Sequence, residues 1–321
     1  MKYRSKKKWI LAFELLLVVL FVVNSLPVSA YEKKMVDSYT QIAGSYMKDL
    51  ETGEVTFDDG KEFLPKTRSE TVELSSPEYN PYHDSHEPQN INIEPRVVIG
   101  TDNRIKVEHP KDYGEHRNTV HLSIQFPKGE SMGTGFMIGP NAVATAGHCV
   151  YNSSMGGWAK KITVYPAREG KDGKPYSSAT STKLEAGGNW VKNGDVTDDW
   201  GVIQLNSNIG NKVGWLGLKY QAGAYTGNVT VAGYPRDVRG GYYFDNPYMF
   251  KHTSAISSDD KWRMLYYKNL DTSAGQSGAP VYQYYADTGY TAIAIHRGQN
   301  NSTNVGVRIH EWLFNKLVSY R

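Results

Sequence analysis

The sequence predicts an all-β protein closed by one terminal helix, and three observations carry that prediction. Short apolar or alternating runs recur at 120–126, 135–138, 162–165, 201–205, 229–232, 264–267 and 291–295, separated by Gly, Asn, Asp and Pro. Near the C terminus, Leu313, Phe314, Leu317 and Val318 fall at helical spacing within 310–321, so a helix is expected there with its apolar face on the second of two cores. The 225 residues after position 96 suffice for one or two compact cores, and two barrels fit the number of runs. The 23 tyrosines suit half-buried sheet positions better than a binding stripe.

The elements before the strands differ in composition. Lys2, Arg4, Lys6, Lys7 and Lys8 precede an unbroken apolar run at 15–23 and the small residues Val28-Ser29-Ala30. This is the pattern of a signal peptide over residues 1–30, cleaved after Ala30. The run is shorter than the roughly 20 apolar residues that span a bilayer core. Glu14 is unusual in such a segment, and a retained anchor is the alternative. The processed protein is expected to be secreted and free of the membrane. Residues 31–96 hold 7 basic and 14 acidic side chains, with Pro81, Pro88 and Pro95 toward the end. They are expected to form a propeptide, loosely ordered or ordered only against the remainder, 97–321.

Chemistry concentrates in three later places. In Asp271-Thr272-Ser273-Ala274-Gly275-Gln276-Ser277-Gly278-Ala279-Pro280 a serine stands between glycines. Without Cβ atoms at 275 and 278, a tight turn can aim the amides of Gly275 and Ser277 at one point, as an oxyanion hole requires. An ordinary surface turn has the same composition. A serine nucleophile needs a base and a group that orients it. Val143-Ala144-Thr145-Ala146-Gly147-His148-Cys149 offers His148 at a strand end, and Asp199 stands directly before the apolar run at 201–205, with Asp195 and Asp198 as competing acids. The order is His, Asp, Ser, which separates the chain from the other two common triad orders.

At these residues the chain resembles the chymotrypsin-like serine proteases and, within them, the bacterial glutamyl endopeptidases. The resemblance runs from about Val97 onward and rests on Val98-Ile99-Gly100-Thr101-Asp102-Asn103-Arg104, Gly135-Phe136-Met137-Ile138-Gly139-Pro140, Thr145-Ala146-Gly147-His148-Cys149, Asp199-Trp200-Gly201, Gly233-Tyr234-Pro235, Gly275-Gln276-Ser277-Gly278 and Ile295-His296. It implies two six-stranded antiparallel β-barrels, with His148 as general base, Asp199 as its orienter, Ser277 as nucleophile and the Gly275 and Ser277 amides as oxyanion donors. Many relatives pair the cysteine after the histidine in a disulfide. Here Cys149 is the only cysteine, so no intrachain bridge forms and a buried free thiol is expected. A cysteine nucleophile is the rival reading of Cys149.

The resemblance places Thr272 and His296 where a substrate glutamate carboxylate is held, with the new amino group of Val97 helping to form the pocket. Asp271 lies near the pocket base, where an inward acid would reverse the preference toward Lys or Arg. Cleavage between Arg96 and Val97 is expected, by an activating protease, because Pro95 makes Glu94 a poor site; earlier self-trimming at Glu78 is the alternative. The expected substrates are proteins and peptides with Glu or, more slowly, Asp before the scissile bond, and a monomer is expected. Residues 97–321 carry 24 basic and 18 acidic side chains, which favours acidic substrates weakly, and no basic cluster with interleaved aromatics suggests nucleic acid. No cofactor is implied and no metal-ligand spacing is found, although Asp102, Asp172 and Asp195 are loop acids of the kind that coordinate a structural calcium. Two other readings stand: the same fold with a narrow, toxin-like specificity, and a secreted binding module without turnover.

Overall fold

A computed structural model describes residues 44–63, 73–79, 102–236, 246–260, 262–300 and 303–321. Residues 1–30, where a signal peptide is expected, and the Arg96-Val97 junction lie outside them. In chain order the strands are β1 (Ser45–Asp49), β2 (Val55–Asp58), β3 (Glu73–Ser76), β4 (Ile105–Lys106), β5 (Thr119–Phe126), β6 (Gly129–Met137) and β7 (Ala142–Thr145). There follow β8 (Tyr151–Asn152), β9 (Gly157–Trp158), β10 (Lys161–Pro166), β11 (Ala179–Gly187), β12 (Gly201–Leu205) and β13 (Gly217–Gln221). The last are β14 (Asn228–Gly233), β15 (Phe250–Ala255), β16 (Ser258–Asp259), β17 (Met264–Tyr267), β18 (Pro280–Tyr285), β19 (Gly289–Asn300) and β20 (Thr303–Arg308), before helix α1 (Glu311–Val318).

The fold is mostly β, as the spacing predicts. Strands pair in the order β10-β5-β6-β7-β12-β11, and β11 returns to β10 through Thr163 with Thr180 and Val164 with Ala179, closing a six-stranded antiparallel barrel. Alternation drives it: in β10, Ile162, Val164 and Pro166 are buried while Lys161 is exposed. Val120, Leu122, Ile124, Ile162, Val164, Leu184 and Ile203 fill this core. The second sheet runs β17-β20-β19-β18-β14-β15 around Val229, Val231, Leu265, Tyr267, Val281 and Ile293. β16 extends this path beyond β17 and β4 beyond β15, and among the described residues the two ends do not pair with each other, so it stands as a half-barrel rather than a second closed ring. Cys149 is buried and unbridged.

In the acidic segment before residue 97, the described residues 44–63 and 73–79 take the second of the two expected states, ordered against the remainder. β1 pairs with β11, Ser45 opposite Gly187 through Asp49 opposite Lys183, and β2 folds back on β1. The turn between them is held by the Asp49 carboxylate, which accepts from the amides of Glu51 (3.0 Å) and Thr52 (2.9 Å). β3 pairs with β13, and Tyr79 stacks on Trp215 at 4.3 Å. Charge anchors it too: Lys316 of α1 lies 2.8 Å from both Asp58 and the buried Glu185, whose other donors are Ser45 and Tyr320. The order comes from docking, since an acidic hairpin this short is marginal alone.

Helix α1 lies against the second sheet, as the helical spacing predicts, and makes further contacts beyond it. It packs toward β13 of the second sheet, but Trp312 also meets Trp200 at 5.7 Å and donates its indole N–H to the Gly60 carbonyl at 2.8 Å. Beyond the helix, Arg321 donates to the carbonyls of Ile138 (2.9 Å) and Leu216 (2.6 Å). The C terminus therefore ties both sheets and the acidic segment together.

Candidate active site

His148 follows β7, Asp199 precedes β12, Ser277 precedes β18 and His296 lies within β19. After β7 the chain makes a short helical turn, Gly147–Val150, that presents His148 with 26 % of its side chain exposed. Gly147 is required there, because a Cβ would lie 2.9 Å from Trp190 and 3.0 Å from the Asp199 carboxylate. Asp199 is fully buried between the 3-10 turn Val196–Asp198 and β12. Its Oδ1 accepts from the His148 backbone amide at 2.8 Å, and its Oδ2 lies 2.9 Å from His148 Nδ1. A carboxylate can only accept, so Nδ1 carries the hydrogen and Nε2 is left as the basic nitrogen.

The competing acids are engaged elsewhere. Asp198 accepts from the Trp200 indole (2.8 Å) and the Asn189 amide (2.8 Å), and Asp195 caps the 3-10 turn through the Thr197 amide (2.9 Å). Burial raises the Asp198 pKa to about 6 against the opposing pull of Arg263. Burial would raise Asp199 as well, but His148 first and then Arg297 hold its carboxyl below the usual range. For His148 burial acts downward, yet the Asp199 carboxylate prevails and the imidazole is held well above its ordinary value.

Ser277 sits on an elbow clamped from both sheets. Thr134 of β6 donates its amide to the Ser277 carbonyl (2.9 Å) and its hydroxyl to the Gly275 carbonyl (2.9 Å), while the Gly278 amide donates to the His296 carbonyl of β19 (2.7 Å). Gly275 and Gly278 have φ of 96° and 88°. Among the described residues the amides of Gly275 and Ser277 donate to no protein acceptor. The Ser277 hydroxyl donates to the Arg297 carbonyl at 3.5 Å, and no hydrogen bond joins it to His148 among the described residues. Resting sites often hold this contact open and close it only on substrate. A Cβ at Gly275 would lie 2.6 Å from the Tyr234 carbonyl oxygen and 2.9 Å from the Arg236 nitrogen. Gly275→Ala is therefore expected to turn that amide away and to lower kcat by about 10²–10³-fold, measured on a chromogenic peptide with folding checked by circular dichroism.

The wall residues also have partners. His296 Nδ1 lies 2.6 Å from the Tyr267 hydroxyl, and Thr272 donates to Asn304 Oδ1 at 2.7 Å while Asn304 donates to the Leu270 carbonyl at 2.6 Å. Burial, with the His148 and Arg297 cations, lowers His296 to about 3, so its ring is neutral. The Asp271 carboxylate accepts from the backbone (2.8 Å) and side-chain (3.2 Å) nitrogens of Asn103 and faces His252 at 3.4 Å. Val97 lies outside the described residues. Tyr267, Asn304 and Arg297 were not singled out in the sequence; only the position of Arg297 directly after His296 pointed there. The Cys149 thiol is 3.7 Å from the Ser277 carbonyl and faces Gly133, where a Cβ would lie 2.8 Å from its sulfur. Among the described residues no three His, Cys, Asp or Glu side chains converge as a metal site.

The closed barrel and the half-barrel are the architecture of a chymotrypsin-like serine endopeptidase. A family model described as Trypsin matches residues 105–312. The chain belongs to this trypsin-like family of serine proteases and, within it, to the glutamyl endopeptidase group. It is 35% identical over 236 residues to a glutamyl endopeptidase of Bacillus licheniformis, covering 70% of this chain and 69% of that one. It is 37% identical over 229 residues to an extracellular metalloprotease of Bacillus subtilis, with 70% of each chain covered. A solved Glu endopeptidase structure, in complex with MPD, superposes with a TM-score of 0.59 at 26% identity, over 70% of this chain and 98% of that one. The second relative's name implies a metal that the described side chains do not fit.

Proposed function

We propose that this chain is a secreted endopeptidase that cleaves after Glu, and more slowly after Asp, through His148, Asp199 and Ser277. The observation that carries it is the buried Asp199 carboxylate 2.9 Å from His148 Nδ1, with the adjacent Cys149 thiol 3.7 Å from the Ser277 carbonyl. In this reading His148 Nε2 takes the hydroxyl proton as Ser277 Oγ bonds to the peptide carbonyl carbon. The Gly275 and Ser277 amides receive the oxyanion, and Asp199 stabilises the imidazolium. The same proton goes to the departing amine, the C–N bond breaks, and water repeats the sequence to release the acyl group.

Preference for glutamate rests on three supports. The licheniformis relative and the superposed structure are both called Glu endopeptidases. Asp271, the acid that would attract Lys or Arg, accepts from Asn103 instead. The Tyr267 hydroxyl lies 2.6 Å from His296 Nδ1, and in the tautomer in which the phenol donates, His296 Nε2 carries the hydrogen that an entering carboxylate would accept. Residues 31–96 then serve as a propeptide removed at Arg96-Val97 by another protease, freeing the Val97 amine to complete the pocket. Secretion is supported by the basic and apolar start of the chain and by the extracellular relative.

A panel of peptides differing only before the scissile bond tests this. Glu is expected to exceed Gln, Asp, Lys and Phe, and His296→Ala to lower kcat/KM on the Glu peptide by roughly 10–100-fold, with the Phe peptide changed little. Equal loss on every peptide would assign His296 to structure instead.

A further inference from the structure

One charged side chain in the site has no part in the scheme above. Arg297 follows His296 on β19, and its guanidinium Nε lies 3.3 Å from Oδ2 of Asp199, the oxygen that also holds His148 Nδ1. Its side chain is only 19 % exposed, so the pair is poorly screened. The Arg297 carbonyl meanwhile accepts the Ser277 hydroxyl at 3.5 Å. One residue thus touches the acid through its side chain and the nucleophile through its backbone.

We propose that Arg297 is a positioning residue of the protease site, its guanidinium fixing the Asp199 carboxylate and limiting how strongly that carboxylate holds a proton on His148. This rests on reading His148, Asp199 and Ser277 as the triad. The physical argument concerns one shared oxygen. A buried carboxylate facing a single imidazole gives all its charge to stabilising the imidazolium, which keeps the base protonated and idle at low pH. A cation on Oδ2 takes part of that charge and repels the imidazolium, so neutral His148 persists to lower pH. It also supplies Oδ2 with a second donor that fixes the plane of the carboxylate, and with it the ring.

The other groups around His148 do not duplicate the effect. Asp198 is next in sequence but turns its carboxylate to Trp200, Asn189 and, at 3.7 Å, Arg263. His296 is neutral and faces Tyr267 from β17. The Cys149 thiol lies toward the Ser277 carbonyl and acts on His148 in the same upward direction as Asp199, opposite to a cation. Arg297 is the one cation within 4.0 Å of Asp199 apart from His148 itself, among the described residues.

The test is the pH dependence of kcat/KM for the activated enzyme and its Arg297→Gln and Arg297→Lys variants, on a peptide with a neutral residue before the scissile bond and on one with Glu. Arg297→Gln is expected to move the acid limb upward by about half a pH unit or more on both peptides. Its kcat should fall about tenfold, with KM within roughly twofold. Arg297→Lys should return most of the limb toward its original position. If the glutamine variant does not fold, Arg297→Met, of similar length and uncharged, takes its place. An acid limb unmoved in a folded variant overturns the proposal, as does a loss confined to KM for the Glu peptide, which would make Arg297 part of the pocket. Labelling with a fluorophosphonate separates the two readings: an unlabelled Ser277 in the parent enzyme defeats the triad assignment, whereas a labelled and active parent with an unmoved variant defeats this inference alone.

Discussion

Ser277→Ala is expected to lower turnover by about a millionfold, and His148→Ala by a similar factor, with Asp199→Ala somewhat less severe. The reason is geometric: the residues act as one unit, so loss of the nucleophile or of its base leaves only the oxyanion donors and substrate binding. The parent enzyme should take a fluorophosphonate at Ser277, read by mass spectrometry of the labelled peptide, and the Ser277→Ala protein should not. A folded parent that resists the label would instead favour a binding module that keeps the fold. The pH profile follows from the same contacts. His148 must be neutral to accept the proton, and Asp199 holds it above its ordinary value. The acid limb of kcat/KM should therefore centre above about pH 6.5, the unperturbed imidazole value, with activity gained as pH rises through it. A limb centred below pH 6 would show that His148 is not the base, or that the Asp199 contact is lost in solution.

Arg308→Ala should give the largest loss of stability. Arg308 and Asp259 lie 3.1 Å apart, each essentially without solvent exposure, at the rim of the second sheet. The guanidinium also donates to the carbonyls of Gln221 and Gly223, both at 2.7 Å, and its carbon lies 4.7 Å from the Tyr225 ring centre. Truncation leaves a buried carboxylate without its cation and strips a donor from two carbonyls, a change that costs about 3–5 kcal/mol in comparable buried pairs. For a domain of this size the melting temperature should fall on the order of 10 °C. Differential scanning calorimetry measures this directly, and a change under 2 °C would mean that water already reaches the pair.

Much of the candidate site is legible in short segments. The glycines around Ser277 and the apolar run ending at His148 each sit on one local turn, where residue type alone limits the backbone. The choice among Asp195, Asp198 and Asp199 was harder. All three occupy the same loop, and which carboxylate faces the imidazole depends on a 3-10 turn that directs Asp198 to Trp200 and Asp199 to His148. Arg297 escaped notice for a similar reason: its guanidinium meets an acid 98 positions away. β15 was missed because Phe250–Ala255 carries polar, half-buried residues and becomes a strand only by pairing with β14.

By itself the sequence determined the class of fold and the terminal helix and pointed to the candidate serine and histidine, because periodicity and glycine placement act over a few residues. Only the tertiary structure decided that the second sheet stays an open half-barrel, that the acidic segment adds strands to the domain, and that Arg297 reaches the buried acid. Those outcomes depend on contacts between distant segments, and the free energy of such a contact is set by burial and by which partners arrive, quantities that no local window of residues contains.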